Sequence, residues 1–199
     1  MLKTEERKLV LAAANRTLFE KGIARVSLAD VAEEAGIDMA EIKAAFPSLR
    51  DLLRELVQWG MDDFNQFFSN ILTKRGKPDL KVRHLITGIL QRLDRHYLVY
   101  KMMSIALGTP VKECHILRKV ASEEDIEVYL QHIRIIARIF AKGQSENLFV
   151  RTIDPLAAAY MLSGMMVYII RFKEESQGSF AIADYAKAII RIFLRGFYR

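Results

Sequence analysis

The chain is poor in the residues that interrupt or cross-link structure: one cysteine, four prolines and ten glycines in 199 residues. A lone cysteine excludes an internal disulfide and leans towards a reducing compartment. Catalytic signatures are missing too. There is no glycine-rich phosphate loop, no nucleophile elbow and no paired His/Asp pattern, so no catalytic residues, no bound cofactor and no enzymatic activity are expected. Cys114-His115 invites a metal reading, but adjacent helical residues point about 100° apart. No His-x-x-x-His or Cys-x-x-Cys spacing supports them, so no metal site is expected. Long apolar runs are also missing. The longest uncharged stretch, Pro155 to Ile170, is sixteen residues and contains Ser163 and Gly164. That is short for a membrane span and suits a core helix, so no membrane partner is expected. The charged start, Met1-Leu-Lys-Thr-Glu-Glu-Arg-Lys8, predicts no secretory leader and a cytoplasmic location.

What is there is helical spacing almost throughout, with no convincing strand alternation, so the fold class is all-α. Leu52, Leu53, Leu56, Val57, Met61, Phe64, Phe68, Ile71 and Leu72 predict one long helix, ended by Arg75-Gly-Lys-Pro78. Another helix from about Leu80 carries Val82, Leu85, Ile86, Ile89, Leu90 and Leu93. Gly108-Thr-Pro110 predicts a break. Ser122 followed by Glu123, Glu124 and Asp125 predicts a helix start, with acids favourable to the first turn. Asn147 to Ile153 reads as a loop. Asp154-Pro155 is a cap followed by proline at the first helical position. Gly178-Ser179 separates that helix from a last one, Phe180 to Phe197.

The N-terminal fifty residues are more specific. Ser27 to Phe46 reads as a short helix, a tight turn at Gly36 and a second short helix, with Ser27 and Asp30 placed as a capping box and Asp38 capping the second helix. Gly36 sits where only a residue without Cβ turns cheaply. Ile42 and Phe46, four apart, pack one face of the second helix and leave the other to be offered. Such a helix-turn-helix lays its second helix in the DNA major groove. Upstream, Val10 to Gly22 forms an amphipathic helix with a glycine stop.

Together these three helices resemble the DNA-binding domain of the TetR (tetracycline repressor) family. The matching residues are Val10, Leu11, Ala13, Ala14, Thr17, Leu18, Gly22, Ser27, Val31, Ala32, Ala35, Gly36, Ile37 and Phe46, and the likeness covers residues 7 to 57. The family pattern departs at four places: Lys43 stands for a Tyr, Ala45 for a His, Leu49 for a Lys and Ala40 for a frequent Gly. The resemblance implies a DNA-binding domain over 1–48 and a helical ligand-binding and dimerisation bundle over 49–199. The charge balance bears on this. The chain is +6 overall, yet residues 1–50 hold eight Lys/Arg and eight Asp/Glu, so a DNA-binding head must segregate its charges.

For DNA, Lys43 lies at the family's backbone-contacting position, Ser27 starts a helix where hydroxyl and N–H groups can hold a phosphate, and Arg25 and Arg50 flank the head. Met39, Ala40 and Ala44 are left to touch base edges. In the body, methionines and aromatics can line an apolar pocket with polar handles. The resemblance implies a small apolar ligand there, with His96, Tyr100, Met103, Tyr129, His132, Met161 and Met165 as candidates. The last two helices are apolar on more than one side, and the final one keeps Asp184, Lys187, Arg191 and Arg195 on one stripe. The resemblance implies a homodimer built from them, with Leu156, Tyr160, Val167, Ile182, Tyr185, Ile189 and Phe193 as interface candidates. Two functions stay open. One is a regulator, with repression favoured, that a ligand releases from its operator. The other is a TetR-like dimer that has lost operator binding and acts through its ligand or a protein partner.

Overall fold

The computed structural model describes residues 2–108, 114–120, 122–176 and 181–198. These form ten helices: α1 (Thr4–Lys21), α2 (Leu28–Ala35), α3 (Met39–Ala45), α4 (Leu49–Thr73), α5 (Pro78–Arg95), α6 (Tyr97–Ala106), α7 (Cys114–Val120), α8 (Glu123–Ser145), α9 (Pro155–Glu175) and α10 (Ile182–Phe197). The only strand-like pairing among the described residues is a single antiparallel bridge between Phe149 and Tyr198. The all-α class expected from the helical spacing is what the protein has. The Thr109-Pro110 and Gly178-Ser179 punctuation lies outside the described residues, as do the side chains of Cys114 and His115.

Helix ends follow their caps. Ser27 Oγ accepts the Asp30 N–H at 3.2 Å, and Asp30 Oδ2 accepts the Ser27 N–H at 2.8 Å. The same device recurs unannounced at α4, where Ser48 Oγ accepts the Asp51 N–H at 3.3 Å and Asp51 Oδ2 accepts the Ser48 N–H at 3.1 Å. Asp154 Oδ1 accepts the N–H groups of Leu156 and Ala157, ahead of which Pro155 opens α9. Gly36, at φ 65°, is left-handed and lets the Ile37 N–H reach back to the Ala32 carbonyl at 3.1 Å. That closes the α2 end as a Schellman motif.

The chain divides into two compact units, Met1–Met61 with Arg95–Ser122 and Asp62–Asp94 with Glu123–Arg199. The first holds the three-helix head, the start of α4, and α6 and α7. Its core is Val10, Leu18, Val31, Ile42, Phe46, Leu52 and Leu56, all essentially sealed from solvent. Buried Asn15 on α1 accepts the Tyr97 backbone N–H at 2.7 Å, capping α6, while Phe19 meets the Tyr97 ring edge-on at 5.9 Å.

The second unit packs α8 against α9, with α10 alongside. Phe140 gathers Phe149, Phe193 and Phe197, ring centroids 5.4–5.8 Å away. Gly143 makes room for this cluster, since a Cβ there would lie 2.1 Å from the Phe149 ring. Truncating Phe140 removes the centre of the cluster. Phe140→Ala is expected to lower stability by about 3–5 kcal/mol, read as a fall in the urea midpoint at unchanged slope.

Candidate functional site

The second helix of the motif, α3, is only seven residues long. Buried Ile42 anchors it from one side and buried Phe46 from its end. Ala40, Glu41, Lys43 and Ala44 are consequently exposed, and Met39 is half-buried. Arg25, Ser27 and Arg50 are exposed as well. All seven residues expected to meet DNA therefore lie on accessible surface of the head.

Their donors differ in availability. The Ser27 N–H and O–H both donate to Asp30 Oδ2, at 2.8 and 2.7 Å. Ser27 thus forms the capping box expected with Asp30, while remaining exposed at the start of α2. Hydrogen bonds from Lys21 and then Ser27 hold the Asp30 carboxyl down at about 2, so it stays charged. Arg25 Nε donates to the Lys21 carbonyl at 2.8 Å. Lys8 pairs with Glu5, Arg16 with Glu34, Lys21 with Asp30 and Arg7 with Glu55. Arg7 also lies over the Phe46 ring, tying α1 to the base of α3. Lys43 and Arg50 have no ion pair among the described residues. Nor does exposed Arg54, one turn beyond Arg50 on α4 and four residues on in sequence, a spacing that places it on the same face. The head is neutral in sum: Arg7, Lys8, Arg16 and Lys21 are paired, Arg25 is held by the Lys21 carbonyl, and Lys43 on α3 and Arg50 at the start of α4 are, with Lys3, left without an ion pair among the described residues.

The expected ligand residues fall in both units. In the first, His96, Tyr100 and Met103 are all buried. Trp59 meets the His96 ring edge-on at 4.8 Å, and the Lys101 ammonium lies 5.0 and 5.3 Å from the centres of the Tyr97 and Tyr100 rings. In the second, His132 is 4% exposed and lies flat on Phe68, centroids 4.2 Å apart. Its Nε2 is 2.9 Å from Asn65 Oδ1. His132 Nδ1 and the Tyr129 hydroxyl are buried with no hydrogen-bond partner among the described residues. Ser163 is buried beside Tyr129, and desolvation raises the Tyr129 phenol above its ordinary range. Met165 is half-buried, but Met161 is 54% exposed. Met161 therefore lies on the outer face of α9, with Met166 facing inward in its stead.

The dimer candidates divide in the same way. Leu156 and Tyr160 are exposed and Tyr185 is half-exposed. Val167, Ile182, Ile189 and Phe193 are buried within the protomer, which corrects their assignment to a partner-facing surface. The apolar residues that do face outward are Leu156, Tyr160, Met161, Tyr168 and Phe172 on α9 and Ile192 on α10. They form one strip along α9, continued on α10 where Phe172 meets Tyr185 at 6.3 Å.

Residues 10–56 match the family model described as bacterial regulatory proteins, tetR family. The chain resembles the TetR family of transcriptional regulators. Solved structures of TetR-like regulators share its fold over nearly the whole length. The ketosteroid transcriptional regulator KstR2 of Mycobacterium tuberculosis superposes with a TM-score of 0.75 at 16% identity, covering 100% of this chain and 97% of that one. The Bacillus subtilis regulator FadR, solved with stearoyl-CoA, gives 0.66 at 18% identity, covering 95% and 98%. AibR, solved with isovaleryl coenzyme A and operator DNA, gives 0.63 at 17%, covering 94% and 97%. The match over residues 10–56 is to regulatory proteins, and the solved structures show that the chain has their fold.

The buried histidine makes a pH signature. Desolvation lowers the His132 pKa from 6.5 to about 4. The unfolded chain therefore takes up this proton before the folded one does, and stability is full above pH 6.5 and falls as the pH drops towards 4. The difference amounts to roughly 3 kcal/mol at most. His132→Gln is expected to flatten this part of the acid limb in denaturation curves taken between pH 7 and 4.

Proposed function

We propose that this protein is a homodimeric, operator-binding transcriptional repressor of the TetR type, working in the cytoplasm and released from DNA by a small, mostly apolar ligand. The observation that carries the DNA reading is the unpaired group Lys43, Arg50 and Arg54 beside the exposed face of α3, in a head whose other cations are mostly paired. Cations already held by carboxylates gain little from phosphate, whereas unpaired ones release counterions when they bind it. Ala40 and Ala44, small and apolar, suit contact with thymine methyl groups, and Met39 lies at their edge. AibR was solved with operator DNA and an acyl-CoA together, and FadR with an acyl-CoA, so regulators of this fold combine the two kinds of partner.

A second copy of the chain is the occupant we assign to the outward strip of α9 and α10. α9 has the length and composition of a membrane span, with mean hydropathy 1.4 and 39% of its apolar window buried. Its buried side, however, is a packed core face: Ala158, Ala159, Leu162, Met166 and Ile170 are sealed. Only the outer strip needs cover, and two such strips facing one another form a four-helix contact. In a dimer each head takes one half-site, about 34–36 Å apart on DNA. The ligand would engage the unpartnered Tyr129 hydroxyl and His132 Nδ1 and otherwise bury apolar surface.

Two outcomes are expected. Lys43→Ala and Arg50→Ala each weaken operator binding across sequences and reduce the slope of log affinity against log salt by about one, as read by fluorescence anisotropy. Unchanged affinity and slope in both variants favours the dimer that no longer binds an operator. Tyr168→Arg, placing charge at the centre of the outward strip, yields a folded monomer in sedimentation, whereas the unmodified chain sediments as a dimer. A wild-type monomer that co-sediments with lipid vesicles would instead assign the strip to a membrane.

A further inference from the structure

Apart from the head and the α9 strip, the second unit carries a groove with a different chemistry. It lies between α5 and α10, is lined by Arg83, Lys187, Ile190, Arg191, Leu194, Arg195 and Tyr198, and has a volume of about 440 Å³. That is the size range of small-molecule sites. Lys187, Arg191 and Arg195 stand four residues apart along α10, so their charges follow one another over about 12 Å. Arg83 approaches from α5. All four are exposed, and Arg83, Arg191 and Arg195 have no ion pair among the described residues. Two acids lie nearby. Asp184 pairs with Lys187 at 3.6 Å, both ends well exposed, and Asp79 Oδ2 accepts the Tyr198 hydroxyl at 3.1 Å. Neither is part of the groove wall.

We propose that this groove binds a small, multiply phosphorylated molecule. Like charges four residues apart on a helix repel one another, and an anion between them relieves that repulsion. Three guanidinium groups favour phosphate, whose oxygens they engage in bidentate pairs. A single carboxylate supplies one negative charge, too few for three unpaired arginines and a lysine. Half-buried Ile190 and buried Leu194 give the groove an apolar floor, with the Tyr198 ring beside it. A ligand with an organic portion attached to its phosphates, such as a nucleotide, fits both parts.

Isothermal titration calorimetry of the full chain with sodium triphosphate, at constant ionic strength and beside a parallel titration with sulfate, tests this. Triphosphate is expected to bind at least about tenfold more tightly than sulfate. The double variant Arg83→Gln, Arg191→Gln is expected to lose about tenfold or more of that affinity. Its melting temperature should be unchanged, because neither side chain is buried. Arg138→Gln, an exposed arginine of α8, is expected to bind as the parent does. ATP in place of triphosphate separates the two sources of phosphate: tighter binding assigns the floor to an organic portion, and equal binding assigns the site to inorganic polyphosphate. Sulfate and triphosphate binding equally weakly would overturn the proposal, as would undiminished triphosphate binding in the double variant or an equal loss in Arg138→Gln. Triphosphate failing to bind while nonspecific duplex DNA loses affinity in the double variant would assign these cations to DNA instead.

Discussion

Helices of seven and eight residues do not hold their shape in water, because so short a run barely repays its own nucleation. α2 and α3 are of that length, and everything the head offers depends on what holds them. Two things do. Side-chain caps close their ends, and Val31, Ile42 and Phe46 are sealed in the core of their unit. The Arg7–Glu55 pair and the Arg7–Phe46 stacking then clamp the first helix to the others. The reading face is thus defined from behind: burial of Ile42 determines that Ala40, Lys43 and Ala44 look outward.

The charge arrangement follows the same economy. A neutral head is a poor sign of DNA binding when residues are merely counted. Position changes that reading, since most of its acids sit where they cap helices or hold a cation. Asp30 does both, closing α2 and taking the Lys21 ammonium at 2.8 Å. Asp38 and Asp51 close α3 and α4. These carboxylates are used up locally, which leaves Lys43 on α3 and Arg50 at the start of α4 without an ion pair among the described residues.

Much of this was legible in the sequence because caps and glycines are local signals. The turn at Gly36, the cap at Asp154 and the loop after Asn147 depend on residues within a few positions, and the helices begin and end close to where those residues stand. The faces of α9 and α10 were harder. A helix apolar on two sides gives no periodic cue to which side meets its own core. Ile189 and Ile192 are three residues apart and chemically identical, yet one is 3% exposed and the other 65%. Only the packing partners decide between them.

The hydrogen bond from Tyr97 to Asn15 shows how far such information can be displaced. No proline or glycine separates α5 from α6 in Leu93-Asp-Arg-His-Tyr-Leu98, and the residue between the two helices, His96, has φ −117° and ψ 78°. The acceptor that fixes the start of α6 comes from a helix 82 positions earlier. A peptide of residues 78–106 removed from the rest would lack that acceptor. The start of α6 is thus held in part by a contact of high sequence separation, whose loop-closure cost a local cap such as Asp154 does not carry.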